Sequence, residues 1–213
     1  MPYDSCFIFH FHSIDKIWII GDSIVRWAAW HILHKEPSNP DLNLGLELAD
    51  VVWKGWSGMR LHHTLENLRM WCINSKDLPS IILLHVGTND LIRTPVQEIQ
   101  WLVQQLVKEI YELIPHVSII WSEILPRLAY RGARDQVKVN IARKTLNRRV
   151  RAIMGRCGGH IIRHAEFNAS RTELFRKDGI HLSPDGNDLL VNNFTEGLRF
   201  FMLYNNMFNY PPF

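Results

Sequence analysis

Cysteine is scarce in this chain. Cys6, Cys72 and Cys157 are the only three in 213 residues; they lie far apart and are odd in number, which argues against a disulfide framework or a zinc site and for reduced thiols. Long apolar runs are missing as well. Stretches such as Ile17 to Ile20 and Ile81 to Leu84 fall far short of the roughly 20 residues that cross a bilayer, so no transmembrane segment is expected. The N-terminus, Met-Pro-Tyr-Asp-Ser-Cys, has an early acid and no basic start before an apolar stretch. No secretory signal is read there, and a cytoplasmic setting is expected. Strong charge of one sign is also lacking. The formal net charge is +3 with eleven histidines neutral, a field that favours anionic partners only weakly. Internal repeats and low-complexity segments are absent.

What is present is an ordinary globular composition. Hydrophobic residues make up 46% and charged residues 21%, which excludes a disordered or fibrous chain. A chain this long fits one domain with a core of its own. Five short runs rich in β-branched residues recur: Lys16 to Ile20, Asp50 to Trp53, Ser80 to Val86, Val117 to Trp121 and His160 to Arg163. Segments of helical periodicity follow them, over Ile24 to His34, Leu61 to Asn74, Pro95 to Leu113, Asp135 to Met154 and Pro184 to Phe201. This is a βαβ rhythm, and its near-continuous apolar strands suit a parallel sheet covered on both faces. Thr94 before Pro95, and Ser183 before Pro184, read as caps with proline at the first helical position. Gly155 and Gly158-Gly159 read as the breakers of the fourth helix. Residues 1–15 form an N-terminal extension, 16–204 the domain and 205–213 a tail. The connections Lys35 to Glu47 and Glu123 to Arg134 continue the rhythm and are expected to border a pocket.

Four short motifs fall on the carboxyl edge of this predicted sheet, where ligands bind in open α/β folds. The first strand ends in Gly21-Asp22-Ser23, which places a serine at a strand-to-helix turn; a nucleophile and a helix cap both fit. The third strand ends in Gly87-Thr88-Asn89-Asp90, where Asn89 either aims an N–H at a developing oxyanion or serves a turn. Gly55-Trp56-Ser57-Gly58 follows the second strand and can present the Gly58 N–H to the same oxygen. Asp178-Gly179-Ile180-His181 precedes the last helix. A carboxylate three residues before an imidazole, in a turn, can hold the Nδ1 proton and leave Nε2 for the serine. Each is weak alone, and their shared edge gives them weight.

In order and approximate spacing these motifs resemble the four blocks of the SGNH hydrolases, or GDSL-type esterases, over residues 16–201. The resemblance implies a flavodoxin-like three-layer α/β/α sandwich with a five-stranded parallel sheet. It also implies a serine ester hydrolase with Ser23 as nucleophile, His181 as base, Asp178 as its orienter and an oxyanion hole from Ser23, Gly58 and Asn89. No cofactor and no metal are needed. Two positions depart from the common pattern: Trp53 stands where asparagine is frequent before the second block's first glycine, and Met59 follows Gly58 where a polar residue is frequent. Both bear on substrate contacts more than on chemistry. The phrases around Ser23 and Gly58 also resemble SGNH domains carried by vertebrate retroelement open reading frames. A Gly-x-Ser-x-Gly elbow is absent around Ser23.

Among the remaining residues, Trp56 is expected beside the site as an apolar or stacking wall. His62, His63, His85 and His164 show no metal-binding spacing, and His85, inside an apolar strand, reads as a hydrogen-bonded core residue. Between Arg127 and Arg156 there are ten Lys or Arg and one acid, Asp135. This stretch reads as a solvated helix face or as a surface for RNA or lipid. The expected partner is a small-molecule ester or lipid. An idle SGNH-like module that binds RNA, a lipid surface or a protein stands as the alternative function, and an unrelated flavodoxin-like binding domain as a third.

Overall fold

The computed structural model describes residues 15–35, 43–46 and 49–208. Cys6, most of the Lys35 to Glu47 connection, the extension up to residue 14 and the last five residues lie outside them. Strands β1 (Asp15–Gly21), β2 (Ala49–Gly55), β3 (Ile81–His85), β4 (Ser118–Ser122) and β5 (His160–Ile162) alternate with helices α1 (Ser23–Lys35), α2 (Leu61–Asn74), α3 (Val96–Leu113), α4 (Gln136–Cys157) and α5 (Pro184–Phe208). All five strands are parallel, in the order β2-β1-β3-β4-β5. This is the flavodoxin-like α/β/α sandwich.

Strand alternation builds two cores. Trp18, Ile20, Ile82, Leu84 and Trp121 face α2, α3 and α4, while Ile17, Ile19, Ile81, Leu83 and Ile120 face α1 and α5. Both faces are therefore apolar, which is why the strands read as unbroken hydrophobic runs. The winding direction reverses between β1 and β3. In open parallel sheets the loops that follow the strands at such a reversal are the usual ligand position.

Three boundaries differ from expectation. Pro95 is the cap of α3 rather than its first helical residue, and no side chain caps this end. Pro95 keeps an extended backbone, φ −58° and ψ 145°, so the helix starts one residue later. Gly155 lies inside α4, which runs to Cys157 and stops at Gly158 in the left-handed conformation, φ 74°. A mid-helix glycine costs only about 1 kcal/mol against alanine and does not break a helix packed along one face. Finally, α5 runs on to Phe208, past the helix end expected at Phe201. The Ser183 cap is present, its Oγ accepting from Gly186 N at 3.1 Å.

Candidate active site

Ser23 is the first residue of α1, directly after β1, and is 8% exposed. The turn requires glycine at position 21, because a Cβ there would lie 2.7 Å from His85 O and run into the Val25 side chain. Ser23 Oγ is 3.2 Å from His181 Nε2, and His181 Nδ1 is 2.7 Å from Asp178 Oδ2. Asp178 Oδ1 also accepts from the N–H groups of Ile180 and His181, each at 2.9 Å. Burial pushes the Asp178 carboxyl up, but the His181 backbone and ring bonds and the Ile180 N–H outweigh it and hold the group at about 2. An ionised carboxylate only accepts, so it fixes the proton on Nδ1 and turns the bare Nε2 toward Ser23.

His181 reaches this position from far away. Residues 163–183 leave β5 at the sheet edge and return across three strand spacings, about 14 Å, to β1. Three ties hold the return. Phe175 and Leu182 form an antiparallel bridge, Arg176 N donates to His181 O at 2.8 Å, and Gly179 O accepts from Leu128 N and Ala129 N at 2.8 and 2.9 Å. The last pair comes from the Glu123 to Arg134 connection, which packs against the Asp178–His181 turn.

The other side of Ser23 is formed by the β2–α2 and β3–α3 turns. Trp56 N donates to Gly21 O at 2.9 Å, which seats the Gly58 loop beside the α1 start. Gly58 has φ +73°, and its N–H has no acceptor among the described residues. The Ser23 N–H opens a helix and by position has no intrahelical acceptor. Asn89 Nδ2 donates to Met59 O at 3.0 Å and to Asp22 Oδ2 at 3.2 Å. Trp56 is 64% exposed and lines a surface cleft with Ser57, Gly58, Met59, His63 and Glu66. The structure thus brings Ser23, His181 and Asp178 into one hydrogen-bonded chain, with Gly58 and Asn89 on adjoining turns and Trp56 at the rim.

Five residues given no role at the site by the sequence also adjoin it. Trp27, one helical turn beyond Ser23, meets the His181 ring edge-on at 6.4 Å between centroids, and the Arg176 guanidinium lies 4.2 Å over the Trp27 ring. Asp22 is fully buried, takes the Ile24 N–H at 2.8 Å and pairs with Arg127 at 3.5 Å. Desolvation raises its pKa, against the pull of Arg127, the Ile24 N–H and His181. Nearby, burial pushes the Asp90 carboxyl up to about 6 although Leu61 N donates to it.

A second serine–histidine contact exists in the core and behaves differently. Ser122 Oγ is 2.7 Å from both His164 Nε2 and His85 Nδ1. The Asn193 amide nitrogen points at His164 Nδ1 at 3.0 Å and at Glu166 Oε2 at 3.4 Å. Nδ1 is therefore an acceptor, Nε2–H donates to Ser122, and Ser122 O–H donates to His85. Desolvation lowers His164 to about 4 and His85 to about 3, so both rings are neutral. Ser122 is 0% exposed, out of reach of any substrate, and no base faces its hydroxyl through a carboxylate. This is a structural network, and His85 is the core residue the sequence suggested.

Among the described residues no group of three or more His, Cys, Asp or Glu could hold a metal, and no helix is long and apolar enough to cross a membrane. The basic stretch does not form one solvated face. Arg127 is buried against Asp22, Arg143 donates to Ile124 O, Arg149 to Gln100, and Arg151 pairs with Glu123.

Residues 19–189 match the model of the GDSL-like lipase/acylhydrolase family. No curated protein matches the chain. Among solved structures, a GDSL-like lipase from Bacteroides thetaiotaomicron superposes with TM-score 0.68 at 14% identity, over 87% of this chain and 88% of the other. A psychrotrophic esterase from Pseudoalteromonas sp., inhibited by monoethylphosphonate, gives 0.66 at 17% identity, over 88% and 98%. A protein from Streptococcus pneumonia described as a putative platelet activating factor gives 0.63 at 21%, over 88% and 86%.

Proposed function

Because the chain belongs to the GDSL-like lipase/acylhydrolase family, we propose that it hydrolyses carboxylic esters through an acyl-enzyme on Ser23. The observation that carries this reading is the continuous chain from Asp178 Oδ2 through His181 to Ser23 Oγ, with links of 2.7 and 3.2 Å. Ser23 Oγ attacks the ester carbonyl while its proton passes to His181 Nε2, and Asp178 stabilises the imidazolium that forms. The oxyanion is received by the N–H groups of Ser23 and Gly58 and by Asn89 Nδ2, where it takes over the hydrogen that rests on Met59 O. One such donor is worth about 3 kcal/mol in the transition state. His181 then gives its proton to the departing alcohol. A water molecule repeats the sequence and releases the acid. Trp56, exposed beside Gly58, supplies an apolar wall for the bound ester.

A fluorophosphonate probe tests this, since it labels only an activated serine. The wild type should be labelled and should turn over p-nitrophenyl acetate, while Ser23→Ala and His181→Ala should do neither. Full activity of Ser23→Ala would remove the assignment.

A further inference from the structure

We propose that Asp22 and Arg127 are positioning residues for the oxyanion donor: Arg127 keeps the buried Asp22 ionised, and the ionised carboxylate, together with Met59 O, sets which end of the Asn89 amide faces Ser23. This rests on the reading of Ser23 as nucleophile and Asn89 as donor.

An amide side chain has two nearly isosteric ends, one donating and one accepting. Only the nitrogen end helps an oxyanion; the oxygen end would repel it. In the structure Nδ2 sits between two acceptors, Met59 O at 3.0 Å and Asp22 Oδ2 at 3.2 Å. A carbonyl can never donate, and an ionised carboxylate cannot either. A protonated Asp22 could donate to the amide oxygen, so a flipped amide would forfeit only the Met59 O bond, and the preference for the correct end would weaken. The strength of the selection thus depends on the charge of a side chain that is 0% exposed.

Burial alone would neutralise such a carboxyl. Its surroundings oppose this from several elements. Ile24 N–H, at the start of α1, donates to Oδ1 at 2.8 Å. Arg127, from the β4–α4 connection and itself 7% exposed, stands 3.5 Å from Oδ2. His181, from the turn before α5, adds a further pull when charged. From the β3–α3 turn come the neutral Asn89 and the acid Asp90, whose own pKa Asp22 helps to raise and which Arg60 helps to lower. His85, close to Arg127, is neutral. Arg127 is the only one of these that carries a permanent positive charge directly on Asp22. The position of Arg127 is itself fixed, since the next two residues donate to Gly179 O.

The sign follows. The competent form has Asp22 ionised and His181 neutral, so both groups bound the acid limb, and activity falls as pH drops through whichever pKa is higher. Removing Arg127 removes a downward pull, and that acid limb moves to higher pH. A merely structural ion pair would lower activity equally at all pH. The experiment measures kcat and KM for p-nitrophenyl acetate from pH 4 to 9 in the wild type, Arg127→Gln, Arg127→Lys and Asp22→Asn, with Ser23→Ala as the blank. Arg127→Gln should move the acid limb of kcat up by at least one pH unit, with KM little changed and kcat recovering toward wild type at high pH. Arg127→Lys should restore much of the wild-type limb. Asp22→Asn, which is isosteric, should lower kcat at least tenfold with no recovery at any pH, consistent with the hundredfold scale of losing an oxyanion donor. An unmoved limb in Arg127→Gln overturns the proposal. If that variant does not fold, Asp22→Asn decides alone, and more than half of wild-type kcat overturns it. Absence of Ser23-dependent turnover in the wild type overturns the esterase reading itself, a result distinct from either.

Discussion

Asp178→Asn is the sharpest perturbation of the proposed triad, because it alters one proton and almost no shape. Asp178 Oδ1 accepts two backbone N–H groups at 2.9 Å each, and the asparagine oxygen can keep both, so the turn survives. The change falls on the other atom. An amide nitrogen would replace Oδ2 at 2.7 Å from His181 Nδ1, and, being a donor, it forces Nδ1 to accept. The imidazole proton then moves to Nε2, which faces Ser23 Oγ at 3.2 Å as a donor and can no longer act as a base. In a serine protease the equivalent tautomer reversal costs about 10⁴ in kcat. The Asp178 side chain is 34% exposed, so solvent can support some imidazole in the correct tautomer. A loss of about 10³ to 10⁴ in kcat/KM is expected, roughly 4 to 5.5 kcal/mol of transition-state stabilisation. The assay is p-nitrophenyl acetate turnover at pH 7.5 beside a thermal melt. An intact melt with less than about thirtyfold loss would refute the tautomer argument and leave Asp178 as a turn residue.

Other outcomes are expected. Trp27→Ala removes the edge-on contact with His181 and the stack under Arg176, together about 1–2 kcal/mol; the melting temperature should fall by roughly 3–6 °C with kcat reduced more than KM is raised, and Trp27→Phe should recover most of both. For His164, desolvation holds the folded pKa near 4, below the unfolded value of about 6.5. Its stabilisation is therefore complete above pH 6.5 and is lost as pH falls toward 4. At pH 5 this ring costs about 2 kcal/mol, so the urea-measured stability gap between wild type and His164→Asn should narrow by about that amount from pH 7 to pH 5. Asp90, with its pKa raised to about 6, works in the opposite direction in both proteins and cancels in the comparison. An unchanged gap would mean that His164 is not buried in neutral form. Gly58→Ala places a Cβ in open space but at φ +73°, so about 1 kcal/mol of stability should be lost in the melt without unfolding.

Much of this site was legible before any coordinates. The two-faced burial of the sheet made the strands apolar throughout, and that pattern marks β1 and β3, whose ends carry Ser23 and Asn89. The Asp178-x-x-His181 spacing stated a local turn and nothing more; its approach to Ser23 depends on residues 163–183 crossing the sheet, which no local signal encodes. Asp22 carries no sign of its role in the motif because burial is a tertiary property, and Arg127 is one of ten basic residues in its stretch whose partners only packing assigns. Trp27 and Arg176 have no periodic or motif signature. Gly155 was misread because a helix held by Leu146, Val150 and Ile153 in the core tolerates one exposed glycine.

Ser23 and His181 stand 158 positions apart in the chain, at opposite ends of the order in which the elements are made. The intervening strands must pair before residues 163–183 have a surface to cross, and α5 must dock on α1 to hold them there. Contacts this distant in sequence pay the largest loop-closure entropy and form late. On the proposed triad, the serine would thus stay inert through synthesis and collapse and acquire its base late in folding. Appearance of probe-reactive serine during refolding would then time the completion of the whole domain, more directly than any spectroscopic signal from the sheet.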